Sequence, residues 1–410
     1  NYGYPDLMKG YQISQYDQPI AYGGHVDLPP LSPAAQAHGD SRSSIRRVGI
    51  TRVHLEEDVA RLIHIGNGTG AYSLMDVNRA GVPLMEIVSE PESRSAAESA
   101  AYMRKLRTVV RWLGICDGNM NEGSMRCDAN VSLRKRGTSE LGTRAEVKNM
   151  NSFRAVERAV NYEIERQAEL LNAGEKITQE TRLWDADHGV TRSMRSKEEA
   201  HDYRYFPDPD LLPVELTEDE VEAIRASLPE LPDETKQRLM DDFGLTPYDA
   251  GVLVAEKETV AFFEAVVEEC GDPKLAANWV INQMPRELKR SGKSIENSPV
   301  SPQNFGKLLN FVLNDTVSTS AANTVIGIMY VDGDDPVAII KDKGLEQITD
   351  SGEIEAAVDQ VIAGNPDQVA DFQGGNEKAI GWFVGQVMKS TGGKANPKMV
   401  NELLRTKLKG

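Results

Sequence analysis

The pattern of apolar and polar residues divides the chain into two parts. Up to about residue 222, short β-prone runs alternate with turns, and two longer stretches carry apolar residues at helical spacing. The β-prone runs are Val48–Leu55, Leu84–Val88, Asn130–Leu133 and Ala145–Val147, and the helical stretches are Ser95–Leu113 and Ser152–Ala173. This mixture is typical of an α+β fold and lacks the regular strand–helix alternation of a parallel α/β sheet.

Beyond about Thr217 the pattern becomes helical, and Pro229 and Pro232 mark a linker. The predicted helices are Asp233–Phe243, Pro247–Cys270, Pro273–Asn282, Pro302–Asn314 and Ser318–Tyr330, followed by a tail set of Leu345–Thr349, Ser351–Ala363, Pro366–Phe372, Lys378–Thr391 and Pro397–Lys407. We therefore predict three domains: an α+β domain in residues 1–222, a helical domain in residues 223–340 and a small helical tail in residues 341–410.

Several predicted strands carry dense polar faces. Residues i, i+2 and i+4 of a strand share a face, which places on one side of the first strand Arg52, His54, Glu56 and Asp58. The same alternation groups Arg126, Asp128, Asn130 and Ser132 in a second strand, and Arg144, Glu146 and Lys148 in a third. For any one strand, the solvated face of an amphipathic sheet is the simpler interpretation. Several such faces together favour a binding surface.

Carboxylates and cations on one surface suit phosphoryl transfer. Mg²⁺ prefers one or two carboxylates with waters and substrate phosphates, and Arg or Lys side chains bind phosphate oxygens. Glu86 is the sharpest single case, because a lone carboxylate in the apolar run Leu84–Val88 is costly unless it is paired or binds a metal. Glu57 breaks the alternation at the end of the first strand, so strand parity selects Glu56 over Glu57 for the polar face.

Composition narrows the class of protein without selecting a function. Of 410 residues, 40% are hydrophobic and 27% are charged, which is normal for a globular protein. No apolar run reaches the ~18 residues of a membrane-spanning helix. Cys116, Cys127 and Cys270 are odd in number and lack metal-ligand spacing, which predicts packing thiols in a reducing cytoplasm. The sequence contains neither a G-x-x-x-x-G-K-[ST] phosphate loop nor a G-x-S-x-G nucleophile elbow.

The net charge of −17 taken alone argues against nucleic-acid binding, but the charges are unevenly distributed along the chain. Residues 215–270 hold 16 acids and 4 bases, whereas residues 376–410 hold 7 bases and 2 acids. A basic C-terminal end fits contact with a phosphate backbone, with Lys389, Lys394 and Lys398 as candidate contacts. A solvated helix face explains the same charges equally well.

The segment Asp202–Asp210 (DYRYFPDPD) surrounds Arg204 with aromatic residues. These rings suit stacking on bases and the pinning of a loop equally well. Arg204 is a candidate to bind a phosphate or a substrate carboxylate.

Segments spread over the whole chain resemble the B subunit of the aspartyl/glutamyl-tRNA amidotransferase, the GatB family. The first are Tyr4–Gln18 (YPDLMKGYQISQYDQ), Gly49–Asp58 (GITRVHLEED) and Asp76–Pro91 (DVNRAGVPLMEIVSEP). They continue with Glu122–Leu133 (EGSMRCDANVSL), Glu146–Phe153 (EVKNMNSF), Gln179–Arg182 (QETR), Asp202–Asp210, Gly381–Gly393 (GWFVGQVMKSTGG) and Ala395–Leu404 (ANPKMVNELL). Motifs of this length in this order are highly specific.

The resemblance implies a cradle domain with a curved, mainly antiparallel sheet related to glutamine synthetase and guanidino kinases, then a helical domain and a YqeY-like tail. It implies that Mg²⁺ and ATP serve to phosphorylate the side-chain carboxylate of Glu on tRNA(Gln) or Asp on tRNA(Asn), before ammonia displaces the phosphate. The ammonia comes through a channel from a glutaminase subunit, GatA, and a third subunit, GatC, clamps the two together. The helical domain and tail hold the tRNA.

Carried over by motif, Glu57 and Glu86 are the expected metal ligands, with Glu56 retained because strand parity selects it. Asp128 and Glu146 are expected to bind metal or guide ammonia, and the expected phosphate contacts are Arg126, Lys148 and Arg204. These four carboxylates, Glu57, Glu86, Asp128 and Glu146, are the predicted catalytic residues.

One departure from the family is the lack of its N-terminal Gly-Leu-Glu-Val-His motif, whose Glu and His help to bind metal; we expect that segment to precede Asn1. Two other functions remain open. A non-catalytic tRNA-binding scaffold would leave the polar strand faces without a role, and a small-molecule guanidino or amino-acid kinase would leave the helical half without one.

Overall fold

The computed structural model describes residues 2–3, 9, 11–29, 45–66, 70–196, 206–333, 335–348, 350–376 and 378–408. The chain divides into two compact units, Asn1–Pro232 and Asp233–Gly410. The mixture of small sheets and helices in the first unit, followed by a helical second unit, confirms the predicted α+β class. The predicted division into three domains and the predicted likeness to glutamine synthetase and guanidino kinases stay predictions.

The first unit contains short strands that form small sheets. The strands are β1 (Tyr2–Gly3), β2 (Tyr11–Gln12), β3 (Ala21–Leu28), β4 (Arg46–Glu57), β5 (Arg61–Ile65), β6 (Tyr72–Asp76), β7 (Pro83–Ser89), β8 (Ala129–Val131), β9 (Ala145–Lys148), β10 (Glu180–Asp185) and β11 (Val190–Ser196). Two of the sheets matter for the site: β3-β4-β7, which is antiparallel, and β11-β10-β9-β8, in which β9 and β10 are parallel. The others are the pairs β1-β2 and β5-β6.

Two long helices cover the apolar faces of these sheets. Helix α1 (Ala96–Trp112) is capped by Ser95 and α2 (Phe153–Asn172) is capped by Ser152, and in each the cap hydroxyl accepts a hydrogen bond from a backbone N–H of the first turn. α1 packs on α2 and β3, and α2 packs on β8 and β11. The shared core includes Leu28, Val48, Val131, Val147, Val156, Ala159 and Trp184.

A buried ion network fastens α2 to the second sheet. The Glu163 side chain is 0% exposed and accepts hydrogen bonds from Arg166, at 2.5 and 2.9 Å, and from Gln167 at 2.8 Å. The Thr191 hydroxyl of β11 donates to the same carboxylate at 3.2 Å, and Nε of Arg182 in β10 lies 3.5 Å from it. A buried carboxylate is tolerated only with partners of this kind, so the network fixes β10 and β11 against the helix.

The second unit is helical. A short helix, α3 (Glu218–Ser227), closes the first unit, and α4 (Pro232–Phe243) begins at the boundary. The rest are α5 (Pro247–Leu253), α6 (Lys257–Cys270), α7 (Pro273–Ser291), α8 (Pro302–Leu313), α9 (Thr319–Asp332), α10 (Pro336–Lys343), α11 (Ser351–Ala363), α12 (Pro366–Gln373), α13 (Ala379–Ser390) and α14 (Pro397–Leu408), with a 3₁₀ turn at Ile295–Asn297. Phe263, Phe305 and Leu308 are among the fully buried side chains, and α11 to α14 share a second core around Phe383 and Leu404.

Some predicted helix limits were wrong. The predicted helix Pro247–Cys270 is two helices, since the chain turns between Leu253 and Lys257 without a Gly or Pro to mark the break. The helix predicted to end at Asn282 continues to Ser291 because the apolar pattern carries through Pro285.

Residues 345–348 are not helical, and Ile348 forms a bridge with Ala395. Helices α3 and α10 were not predicted. No helix in the described part of the chain is long and apolar enough to cross a membrane.

Replacing Glu163 by Ala should lower the free energy of unfolding of the first unit by about 3–5 kcal/mol, because it leaves Arg166 and Arg182 without their buried partner. The matched control is Glu222→Ala, which breaks the exposed pair with Arg225 in the same unit and should cost at most about 1 kcal/mol. Urea denaturation measures both. Equal losses in the two variants would show that the network does not hold the unit together.

Candidate functional site

The polar face of the first sheet gathers a histidine and two carboxylates. Strand β4 pairs with β7 in a register that sets His54 opposite Glu86, and residues opposite each other in a sheet share a face. Glu56 is two residues beyond His54 and therefore lies on that same face. The alternation of residues along the strand had predicted that His54 and Glu56 share one face of β4. The pairing with β7 adds Glu86 to that face.

These three side chains lie within ligand distance of one another. Nε2 of His54 lies 3.3 Å from Oε1 of Glu56 and 3.7 Å from Oε2 of Glu86. One ligand atom from each residue lies within 4.8 Å of the other two. His54 is fully buried and Glu86 is half exposed, so the group opens to solvent on the side of Glu86. Two carboxylates and one imidazole in this arrangement fit a divalent cation that keeps sites for water or phosphate oxygens.

Glu86 lies beside another carboxylate, and this changes its pKa. Partial burial raises the pKa of Glu86 above the usual value for a glutamate, and the charge of Glu56 raises it further. His54 and Arg52 act in the opposite direction and lower the pKa of Glu86. A bound cation would also favour the ionised carboxylate. Cation binding at this site is therefore expected to weaken as the pH falls and Glu86 takes up a proton.

The second sheet contributes an acid–lysine group. Nζ of Lys148 lies 2.5 Å from Oδ2 of Asp128 and 3.8 Å from Oε1 of Glu146. β9 ends at Lys148, because Asn149 adopts a left-handed backbone with φ 68° and its side chain donates to the Trp184 carbonyl. Lys148 therefore stands at the end of a strand, where its ammonium group is part-exposed.

One electrostatic interaction links the two groups. The charge of Asp128 raises the pKa of Glu86, although less than burial and the charge of Glu56 do. Asp128 in turn binds Lys148, which adjoins Glu146. The structure thus places the predicted residues Glu56 and Glu86 together with His54, and it places the predicted residues Asp128, Glu146 and Lys148 together in a second group.

Asp58 joins three segments beside this site. Its carboxylate is 4% exposed and lies 2.9 Å from Nε of Arg79 and 3.0 Å from Nη2 of Arg126. Arg79 also donates to the Gly123 carbonyl at 2.9 Å. The pairing shows that Arg126 helps to hold the chain around Asp58; its predicted contact with phosphate stays a prediction, for which the half-exposed side chain leaves room.

Glu57 lies outside the cluster around His54. In β4 it follows Glu56, so its side chain points to the opposite face, where it binds Lys9 and accepts a hydrogen bond from the Ile13 backbone N–H at 3.1 Å. The structure therefore separates the two glutamates that the sequence left as joint candidates. The expectation that Glu57 binds metal, which came from the family motif, stays a prediction.

The remaining predicted residues lie elsewhere. Arg204 falls outside the residues that the structure describes. Lys389 is in the last turn of α13, Lys394 follows that helix, and Lys398 is in the first turn of α14, 3.1 Å from Asp315.

His54 and Asp58 were on the polar face found by alternation and within the family-like segment Gly49–Asp58, but neither was a predicted site residue. Their partners on other segments give them their importance. Cys127 packs against the core, and burial raises the pKa of its thiol to about 12, in agreement with the packing role favoured from the sequence.

Models of known protein families match residues in both units. The family model of the GatB/GatE catalytic domain matches residues 1–222, and the family model described as the GatB domain matches residues 261–408.

Curated relatives match along the whole chain. The B subunit of the aspartyl/glutamyl-tRNA(Asn/Gln) amidotransferase of Rhodospirillum rubrum is 55% identical over 412 residues, which cover 100% of this chain and 82% of the relative. The proteins of the same name in Halorhodospira halophila and Carboxydothermus hydrogenoformans are 54% and 51% identical, again over 100% of this chain and 83% of each relative.

Proposed function

This chain belongs to the family of aspartyl/glutamyl-tRNA(Asn/Gln) amidotransferase B subunits, and on that premise we propose that it carries the site at which a carboxylate on charged tRNA becomes an amide. The substrate class is Glu-tRNA(Gln), Asp-tRNA(Asn) or both, in keeping with the names of the relatives. The proposed site is the hollow formed by His54, Glu56 and Glu86 with Asp128, Glu146 and Lys148. A cytoplasmic location is part of the proposal.

The proposed reaction has two steps. An oxygen of the side-chain carboxylate attacks the γ-phosphorus of ATP, and ADP leaves. Ammonia then attacks the acyl carbon of the resulting acyl phosphate, and inorganic phosphate leaves with one of the ammonia protons, so that the amide remains. Both steps develop negative charge on phosphate oxygens, which preorganised cations stabilise.

The residues divide between these tasks. Mg²⁺, when bound, supplies the positive charge that phosphoryl transfer needs. Glu56 and Glu86 offer the oxygens that such an ion prefers, and His54 supports them from the buried side. Lys148 is held by Asp128 and its side chain is part-exposed, so that its ammonium group can neutralise a phosphate oxygen. Asp128 and Glu146 accept hydrogen bonds and so suit the binding of ammonia or its protonated form.

Two groups of acids support the proposal in a chain of this family: Glu56 and Glu86 beside His54, and Asp128 and Glu146 beside Lys148. The partners follow from the family: we propose that a glutaminase subunit, GatA, supplies ammonia and that GatC joins the complex. A non-catalytic scaffold would need neither the cluster around His54 nor the Lys148 group. ATP hydrolysis that depends on charged tRNA separates the two functions.

Replacing Glu86 by Ala in the reconstituted three-subunit complex should abolish ATP-dependent amide formation and leave basal glutamine hydrolysis intact. The reason is that the variant removes a cation ligand without touching the glutaminase subunit. The assay follows amidated tRNA and glutamate release in parallel. The control Glu175→Ala changes an exposed acid of the same unit and should retain full amidation. Normal amide formation by Glu86→Ala would refute the assignment.

The C-terminal part of the second unit is the proposed tRNA contact. Its charge is basic while the body of the chain is acidic, and Lys389 stands in the last turn of α13. Lys407 is less suited, because it is committed to ion pairs with Glu355 and Asp359, which raise its pKa.

Changing Lys389 and Lys394 together to Glu should weaken tRNA binding by roughly tenfold or more and flatten its dependence on salt, because the salt slope falls by about one for each phosphate that the protein no longer neutralises. Filter binding over a range of salt concentrations gives both quantities. Lys341→Glu, at an exposed position of α10, is the matched control with the same change of charge per residue. An unchanged salt slope in the double variant would exclude the tail as the contact surface.

A further inference from the structure

Thr181 lies at the back of the proposed site and was not among the predicted site residues, although it belongs to the segment Gln179–Arg182 that resembles the family. It belongs to β10, is 3% exposed, and pairs in register with Glu146 of the parallel strand β9. Registered residues on neighbouring strands point to the same side of a sheet. The Thr181 hydroxyl donates to Oε2 of Glu146 at 3.0 Å.

The two oxygens of Glu146 thus have different surroundings. Oε2 accepts from the Thr181 hydroxyl, and Oε1 lies 3.8 Å from the ammonium group of Lys148. A carboxylate bound at one oxygen cannot turn freely about its last torsion, so the hydroxyl sets the direction in which Oε1 faces. Thr181 suits this task because a β-branched side chain has few rotamers.

The backbone that carries Thr181 is itself fixed. The pairing of β10 with β11 shifts register between Thr181 and Arg182, and bulges of this kind re-aim side chains beside active sites. On the other side of the strand, Arg182 hydrogen bonds to Thr191 at 2.7 Å and to Glu180 at 2.5 Å, and lies 3.5 Å from buried Glu163. The network on α2 therefore holds the strand from behind while Thr181 reaches the site face.

We propose that Thr181 is a positioning residue for the amidation reaction, which it serves by orienting the Glu146 carboxylate toward Lys148 and the ammonia or phosphate bound there. The inference rests on the proposed function, since it assigns Glu146 to the same site. It goes beyond that function by assigning a role to a hydroxyl that does not itself contact substrate.

The test compares Thr181→Val, which keeps the size of the side chain and removes its donor, with Thr181→Ser, which keeps the donor. In the three-subunit complex, Thr181→Val should lower kcat for amidation by roughly ten- to a hundredfold, the range expected from losing a hydrogen bond to a charged group. KM for charged tRNA and for ATP and the rate of glutamine hydrolysis should stay unchanged. Thr181→Ser should recover most of kcat.

Two controls separate positioning from a general loss of structure. Thr191→Val removes an equally buried hydroxyl from β11 that contacts Glu163 and Arg182 instead of Glu146, so it should lower thermal stability and change kcat less than about threefold. When Glu146 is already replaced by Gln, adding Thr181→Val should lower kcat little further, because the effects of two substitutions within one interacting pair do not add. If Val at position 181 prevents folding, Thr181→Ala supplies the second loss of the hydroxyl.

The outcomes are distinct. The inference is overturned if Thr181→Val keeps the wild-type kcat, or if its loss of kcat adds in full to that of Glu146→Gln. The proposed function still stands in both cases, provided that Glu146→Gln impairs amidation. Full activity of Glu146→Gln overturns the role of Glu146 and with it that of Thr181. A wild-type complex that forms no amide overturns the proposed function itself.

Discussion

Repulsion among carboxylates is the constraint that shapes the first unit. Glu56 and Glu86 come together from β4 and β7, and the charge of Asp128 adds to the influences that raise the pKa of Glu86. Such a group is stable only with cations beside it or bound to it. Lys148 balances the charge of Asp128, and a divalent ion with its phosphate ligands would balance that of Glu56 and Glu86. The carboxylates that repel one another in the protein therefore favour the binding of a cation between them.

The rest of the unit holds these side chains in place. The buried carboxylate of Glu163 joins α2 to β10 and β11, and that of Asp58 joins the end of β4 to Arg79 and Arg126. Both lie behind or beside the site instead of within it. A site that stabilises developing charge gains from groups that need not reorganise during the reaction, so these buried ion pairs link packing to chemistry.

Local features were predictable from the sequence, and pairings between distant segments were not. Alternation along β4 placed His54 and Glu56 on one face, and Ser95 and Ser152 marked the starts of two helices, because these depend on neighbours in the chain. The register that sets Glu86 opposite His54 depends on strand pairing across the intervening segment.

The hydrogen bond from Thr181 to Glu146 likewise needs the parallel pairing of β9 with β10, which no local pattern encodes. Helix limits failed for a related reason. Helix α7 continues past Pro285, although proline usually ends a helix. Helices α5 and α6 are separate, although the residues between them include no Gly or Pro.

The most direct measurement is the location of a bound Mn²⁺ ion by anomalous diffraction from crystals of the three-subunit complex, grown with Mn²⁺ and a non-hydrolysable ATP analogue. The account predicts an ion bound by carboxylate oxygens of Glu56 and Glu86, with Asp128, Lys148 and Glu146 facing the same hollow and the γ-phosphate between them. An ion bound away from both glutamates, with Glu86 pointing into bulk solvent, would contradict it.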